Sequence, residues 1–173
     1  MSTLLTCLLL DSCSTLCTVG VTLLVKLLAI FAVEAFEQLK LMLPNLLAIM
    51  AIFLLREEPL TTLHSDPPDE LEDTTDAGVN LEPDVRTIVA FKIRPEFQWK
   101  CLEQTSKASL PPSPRRLFTL LYYLFPCNLL KFLRNPASHL VNNGIECPFV
   151  VGWEKVLDEG EIRTKSEVKI YHA

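Results

Sequence analysis

The stretch that decides the fold is Arg115–Leu140, RRLFTLLYYLFPCNLLKFLRNPASHL. Ser113-Pro114, just before it, reads as a helix start. A serine caps the first turn, and proline suits the first helical position because its missing N–H would have no partner there. Lys131 and Arg134 fall in the last turn, where cations meet the negative end of the helix dipole. Asn135-Pro136 ends the run, since a residue before proline is pushed out of helical geometry. Between these limits Leu117, Phe118, Leu120, Leu121, Leu124, Phe125, Leu129, Leu130, Phe132 and Leu133 cover nearly the whole circumference. Such a helix is expected to pack among other helices, with Leu124 and Phe132 in the core and a kink at Pro126.

Composition agrees with a helical reading. A chain of 173 residues has room for one modest core, and 49% hydrophobic residues with only five glycines argue for helices over a sandwich or a nucleotide-binding α/β fold. The net charge of −5 hides a division: residues 57–85 hold ten carboxylates and no Lys or Arg, so the remainder carries +5. The segment 57–84, with Pro59, Pro67, Pro68 and Pro83, is expected to be an acidic disordered insert, because it cannot bury enough surface to offset its ordering entropy.

Outside the insert, residues 3–33 read as one or two helices, with Asp11 or Ser12 capping between them. Val21, Leu24, Val25, Leu28 and Phe31 recur at helical spacing. Glu34–Arg56 reads as a second long helical unit, kinked or turned at Pro44. Glu82–Ile93 fits a helix or a strand, and RPEFQWKCLEQ a short helix whose Phe97, Trp99 and Leu102 patch the core. Leu110–Pro114 reads as a linker, Pro136–Cys147 as loop with an Asn142-Asn143-Gly144 turn, and Gly152–Leu157 as a short helix. The organisation expected is thus an N-terminal helical part (1–56), the acidic insert (57–84), a C-terminal helical part of the same domain (85–167) and a tail (168–173). Antiparallel helix pairs with broad apolar faces are what an all-α, HEAT-like α-solenoid presents, since each pair needs neighbours to cover its second face.

Two apolar runs raise a membrane alternative. Ser12–Val33 is long enough to span a bilayer, which takes about 20 apolar residues. Lys26 stands against it, because a cation near the centre of a span costs about 3 kcal/mol. The second run, Pro44–Leu55, is short without its upstream extension. A small integral membrane protein with two hydrophobic helices is the alternative reading.

Leu121-Tyr122-Tyr123-Leu124-Phe125-Pro126-Cys127-Asn128, followed by Lys131-Phe132-Leu133-Arg134, resembles the L-Y-x-x-[YF]-P-C-N-x-x-x-F-L-R signature of the hamartin family. TLLVKLLAIF and KLMLPNLLAIM, within Leu23–Leu55, resemble the preceding helical pair of that family in its fungal form. CPFVVGWEKVLDEGEIRTKSE is similar to the segment that follows. The three matches are collinear. They cover residues 20–56 and 113–167, and residues 168–173 do not continue the pattern, as in a fragment or an altered gene model. The resemblance makes Tyr122, Pro126, Cys127, Asn128, Phe132, Leu133 and Arg134 a structural signature and carries no catalytic motif. It implies a non-catalytic scaffold of the tuberous sclerosis complex, which stabilises the GTPase-activating subunit tuberin and restrains TOR signalling. It implies a cytoplasmic location, peripheral on the vacuolar or lysosomal membrane. The resemblance implies protein partners, a tuberin-like subunit among them, although the family's tuberin-binding coiled coil has no counterpart here, because no heptad stretch occurs.

No residue pattern points to chemistry. Cys7, Cys13 and Cys17 lack a nearby histidine and read as core thiols rather than metal ligands. Cys127 is also expected to be packed. Without a leader-like N-terminus or a glycosylation sequon, the six cysteines read as reduced rather than disulfide-bonded. His64, His139 and His172 stand apart, and no Gly-rich phosphate loop is present, so no enzyme, metal or cofactor is expected. Pro111–Arg116 fits a PxxPxR ligand but reads better as a stiff linker into a helix. Ser113-Pro114 is also a candidate phosphosite, where phosphate would meet a helix start and two arginines. The +5 charge allows peripheral contact with anionic or phosphoinositide membranes. Without a basic stripe or a stacking platform, nucleic acid is not expected.

Overall fold

The computed structural model describes residues 2–11, 13–56, 92–98 and 114–170. The acidic stretch 57–84, Trp99, Leu102, Ser113 and Tyr171–Ala173 lie outside the described residues, so the readings placed on them have no structural counterpart here. What is described is all-α: α1 (Ser2–Leu10), α2 (Ser14–Glu34), α3 (Phe36–Arg56), α4 (Arg115–Leu124), α5 (Pro126–Arg134), α6 (Pro136–Asn142), α7 (Trp153–Val156) and α8 (Glu159–Ile170). A 3-10 turn at Pro95–Phe97 follows an isolated antiparallel bridge between Ile93 and Phe149.

The core is built around α3. Nine consecutive residues, Leu46–Leu54, are buried, so this half of the helix is enclosed on every side. Its neighbours are α1, α2, α6 and α8. An apolar helix with no polar face is stable in water only when wrapped in this way. Pro44 does not break α3; the helix runs through it, held by Leu43 and Leu46 on the buried side. Gly20 lets α1 and α2 approach closely, since a Cβ there would sit 2.6 Å from Leu8 Cδ2.

Single non-helical residues turn the chain at three helix junctions. Ala35 (φ −148°, ψ 50°) separates α2 from α3, Phe125 (φ −139°, ψ 56°) separates α4 from α5, and Asn135 (φ −154°, ψ 80°) separates α5 from α6. Two of them precede a proline, which disfavours helical geometry at the residue before it. Phe125 is buried and stacks on Phe36 at 5.3 Å between ring centroids, pinning the α4–α5 break against the start of α3.

Several expectations are corrected. Arg115–Arg134 is not one kinked helix but two, and Pro114 occupies the cap position rather than the first helical one. The apolar residues do not wrap the circumference: Leu117, Phe118, Leu121, Leu129, Phe132 and Leu133 face inward, Leu124 is only half-buried, and Tyr123 and Leu130 are exposed. Asn135-Pro136 ends α5 but opens α6 at once, with the Asn135 side chain accepting from Ser138 N–H at 3.1 Å, so the expected loop begins as a helix. Phe97 is exposed rather than patching the core. Helix α8 was not foreseen, because its Lys and Glu residues mask a narrow apolar edge through the buried Ile162.

Candidate functional site

Three surfaces carry the residues singled out by sequence. The first is the signature segment on α4 and α5. Phe132 and Leu133 are buried, Tyr122 is half-buried, and Pro126, Cys127, Asn128 and Arg134 are exposed. Of the signature residues, Phe132 and Leu133 thus belong to the core. Cys127, expected in the core, lies on the outside, because the break at Phe125 rotates α5 so that Leu129, Phe132 and Leu133 take the inner positions. Cys127, Leu130, Lys131 and Arg134 follow helical spacing on the outer side of α5, a mixed apolar and basic face.

The second is the junction where the α1–α2 turn meets the end of α3. Asp11 is buried; its Oδ1 accepts from Cys13 N–H at 2.8 Å, which shapes the turn into α2. The Asp11 carbonyl accepts from Arg56 Nη1 at 2.9 Å and from Cys17 Sγ at 3.3 Å. Arg56 also lies 5.7 Å from the Phe53 ring. On the other side of the α3 terminus, Lys165 Nζ donates to the Leu55 carbonyl at 3.2 Å and pairs with Glu161 at 2.7 Å. The negative end of α3 thus carries Arg56 in its own last turn and receives Lys165 from α8. Burial pushes the Cys17 thiol up to about 11, with Arg56 opposing the shift. Burial also raises Cys7, and Asp11 adds to the rise. These are protonated thiols, unsuited to nucleophilic attack. Among the described residues no group of His, Cys, Asp or Glu is placed to hold a metal ion.

The third is a cleft of about 320 Å³ between α2 and the start of α4. Val21 and Val25 form its floor, and Thr18, Thr22, Lys26, Arg115 and Arg116 its rim. Sequence reading counted Lys26 as an obstacle to membrane insertion and placed Arg115-Arg116 at the start of the signature helix. Nothing in the linear sequence brings residues so far apart together.

The outer face of α2 is largely apolar. Val19 is 63% exposed, Ile30 57% and Val33 80%, with Leu23 also exposed and Lys26 among them. Both α2, over Thr15–Glu34, and α3 are long and apolar enough to cross a membrane, but α3 is mostly buried inside the fold and α2 mostly is not.

His139 stacks edge-on to Phe132 at 5.6 Å, and burial, aided by Lys131, lowers its pKa. The residues described make no nucleophile–base–acid arrangement around it. No family model, curated protein or solved structure matches the chain.

Proposed function

We propose that this chain is a non-catalytic helical scaffold of the hamartin type, a HEAT-like piece that assembles with protein partners in the tuberous sclerosis complex and so restrains TOR signalling. The observation that carries the scaffold reading is the outer face of α2, where Val19, Leu23, Ile30 and Val33 stand exposed beside a core already complete around α3. A solenoid leaves such a face for its next repeat or a partner. The exposed signature residues Cys127, Asn128 and Arg134 give a second patch on the opposite half of the chain order. The resemblance supplies the identity of the complex; a tuberin-like subunit is the partner it names.

The folded part's basic residues add peripheral contact with an anionic membrane, each Lys or Arg near the surface contributing about 1 kcal/mol. The test is two-fold. Full-length chain, tagged in cells, should co-purify with a tuberin-like subunit more strongly when the hamartin coiled coil is supplied in trans. Purified chain should show no acceleration of GTP hydrolysis on the small GTPase, since no matched motif provides an arginine finger or a water-positioning side chain. Intrinsic GTPase acceleration, or absence of any tuberin-containing complex, overturns the reading.

The second reading, a two-helix membrane protein, is favoured by one observation: the α2 face just described is apolar enough for lipid. In that case a membrane fraction would release the chain to detergent and not to high salt.

A further inference from the structure

The cleft between α2 and α4 combines an apolar floor with a cationic rim. Val21 is buried and Val25 half-buried on the floor, while Lys26, Arg115 and Arg116 stand exposed on the rim. Among the described residues, neither Lys26 nor Arg116 is paired with a carboxylate, and no carboxylate lines the cleft. The Thr22 hydroxyl donates to the Thr18 carbonyl at 2.8 Å, so its proton is committed within α2 and the strong donors of the rim are the three cations. No side chain caps the first turn of α4, whose N-terminal end adds a preference for negative charge on the same wall. Along α2 the cleft runs from Thr18 to Lys26, about 12 Å at helical rise.

These features select among anions. A bare phosphate would use the rim and leave Val21 and Val25 uncovered. A peptide would lay backbone N–H groups over the valines, where the described lining side chains offer no acceptor beyond the threonine hydroxyls, and an unpaired buried N–H is costly. An alkyl chain carries no such group. We propose that the cleft binds a single-chain anionic amphiphile, its tail lying along α2 on Val21 and Val25 and its oxyanion head, a phosphate or a carboxylate, held by Lys26, Arg115 and Arg116. The volume of about 320 Å³ is at the small end of ligand pockets and suits one chain rather than the two of a bilayer lipid. An extended chain advances about 1.2 Å per bond, so a floor of about 12 Å takes a tail of about ten carbons. With the head at Lys26, a longer tail runs past Thr18 towards the exposed Thr15, where no apolar floor continues.

The experiment titrates the full chain with monoalkyl phosphates from hexyl to tetradecyl, each below its micelle concentration, by calorimetry. Affinity should rise about two- to fourfold per methylene up to about ten carbons and then level off. Arg116→Glu and Lys26→Glu should each weaken decyl phosphate by about tenfold, through the lost cation and the repulsion introduced. Ile30→Ser, on the outer face of α2 and outside the cleft, should leave it unchanged. An acid in the first turn of α4 suits the helix dipole, so Arg116→Glu should stay helical by circular dichroism, and Lys26→Glu repeats the test from the other wall. The proposal is overturned if inorganic phosphate binds as tightly as decyl phosphate, which would make the rim a site for bare anions. It is overturned if decyl maltoside matches decyl phosphate, if affinity keeps rising to tetradecyl, or if Ile30→Ser abolishes binding while the rim reversals do not. Each of those results would place the contact on the outer face of α2. Absence of binding by decyl phosphate overturns it outright, and phosphatidylserine vesicles binding in its place would mark a bilayer contact.

Discussion

Replacing Phe132 by alanine tests the inward face of the signature helix directly. Phe132 is fully buried on α5, in a cluster that includes Leu129 and Leu133 from its own helix. Removing its ring forfeits the transfer free energy of the lost carbons and leaves a cavity, about 3–5 kcal/mol for a buried Phe→Ala change. The edge-on contact with His139 at 5.6 Å adds to this, at about 0.5–1.5 kcal/mol for such ring pairs. Domains of this size hold about 5–15 kcal/mol in total, so the variant would retain only part of its stability. Urea unfolding followed by circular dichroism should show the midpoint falling with no change in slope. The matched control is Leu130→Ala, two residues away on the outer side, where exposure predicts a change within about 0.5 kcal/mol. If Phe132→Ala costs under about 1 kcal/mol, or Leu130→Ala costs as much as Phe132→Ala, the rotation assigned to α5 is wrong.

Four further outcomes follow from the same geometry. Native thiol labelling should modify Cys127 rapidly and leave Cys17 protected, since one is exposed and the other is buried with its pKa raised to about 11; equal rates would contradict the placement of both. Gly20→Val should destabilise by about 1–3 kcal/mol by overpacking Leu8, measured by the urea midpoint, and a neutral result would place α1 further from α2. Because burial lowers the folded-state pKa of His139, the unfolded chain binds its proton more readily, so stability should fall as pH drops below the usual histidine value and level off once the folded form is protonated. His139→Gln should remove that part of the slope between pH 7 and 5, and an unchanged slope would assign it elsewhere. Arg56→Met should lower the thermal midpoint by freeing the Asp11 carbonyl and the α3 terminus, whereas Lys40→Met, at an exposed pair, should not.

The helical class was legible because its signals are local. Leu and Ile at helical spacing, the Asn135-Pro136 stop and the basic last turn of α5 all act within a few residues, and all have structural counterparts. Breaks before Pro126 and Pro136 were legible as positions, though not as sharp turns between separate helices. The break at Ala35 had no signal, since alanine is the best helix former and only tertiary packing turns the chain there. Burial was misread where a residue's side depends on such a turn: Cys127 and Leu130 looked internal on a continuous helix and lie outside once Phe125 leaves helical geometry. The Asp11–Cys17–Arg56 junction and the Lys26–Arg115–Arg116 cleft were not legible, because each unites residues separated by tens of positions in the chain.

Lys26 sits where the readings of α2 diverge. On a spanning helix it would lie near the bilayer centre, and the cost of about 3 kcal/mol would have to be met by a buried partner or by a water-filled path. In the fold it stands exposed at the rim of a cleft lined by two arginines, which would raise that cost through like charge rather than relieve it. A lipid-facing α2 would also have to leave α3, which carries nine consecutive residues enclosed by protein and whose Leu55 carbonyl accepts from Lys165 of α8. Separating the two helices would expose that surface and both terminal cations together. The arrangement is coherent for a helix whose inner side builds the core, whose flank carries a basic cleft, and whose outer side leaves Val19, Ile30 and Val33 exposed. Charge reversal at Lys26 separates the cases: Lys26→Glu should leave a scaffold soluble and helical, whereas replacing it by leucine should drive a spanning helix further into the detergent fraction.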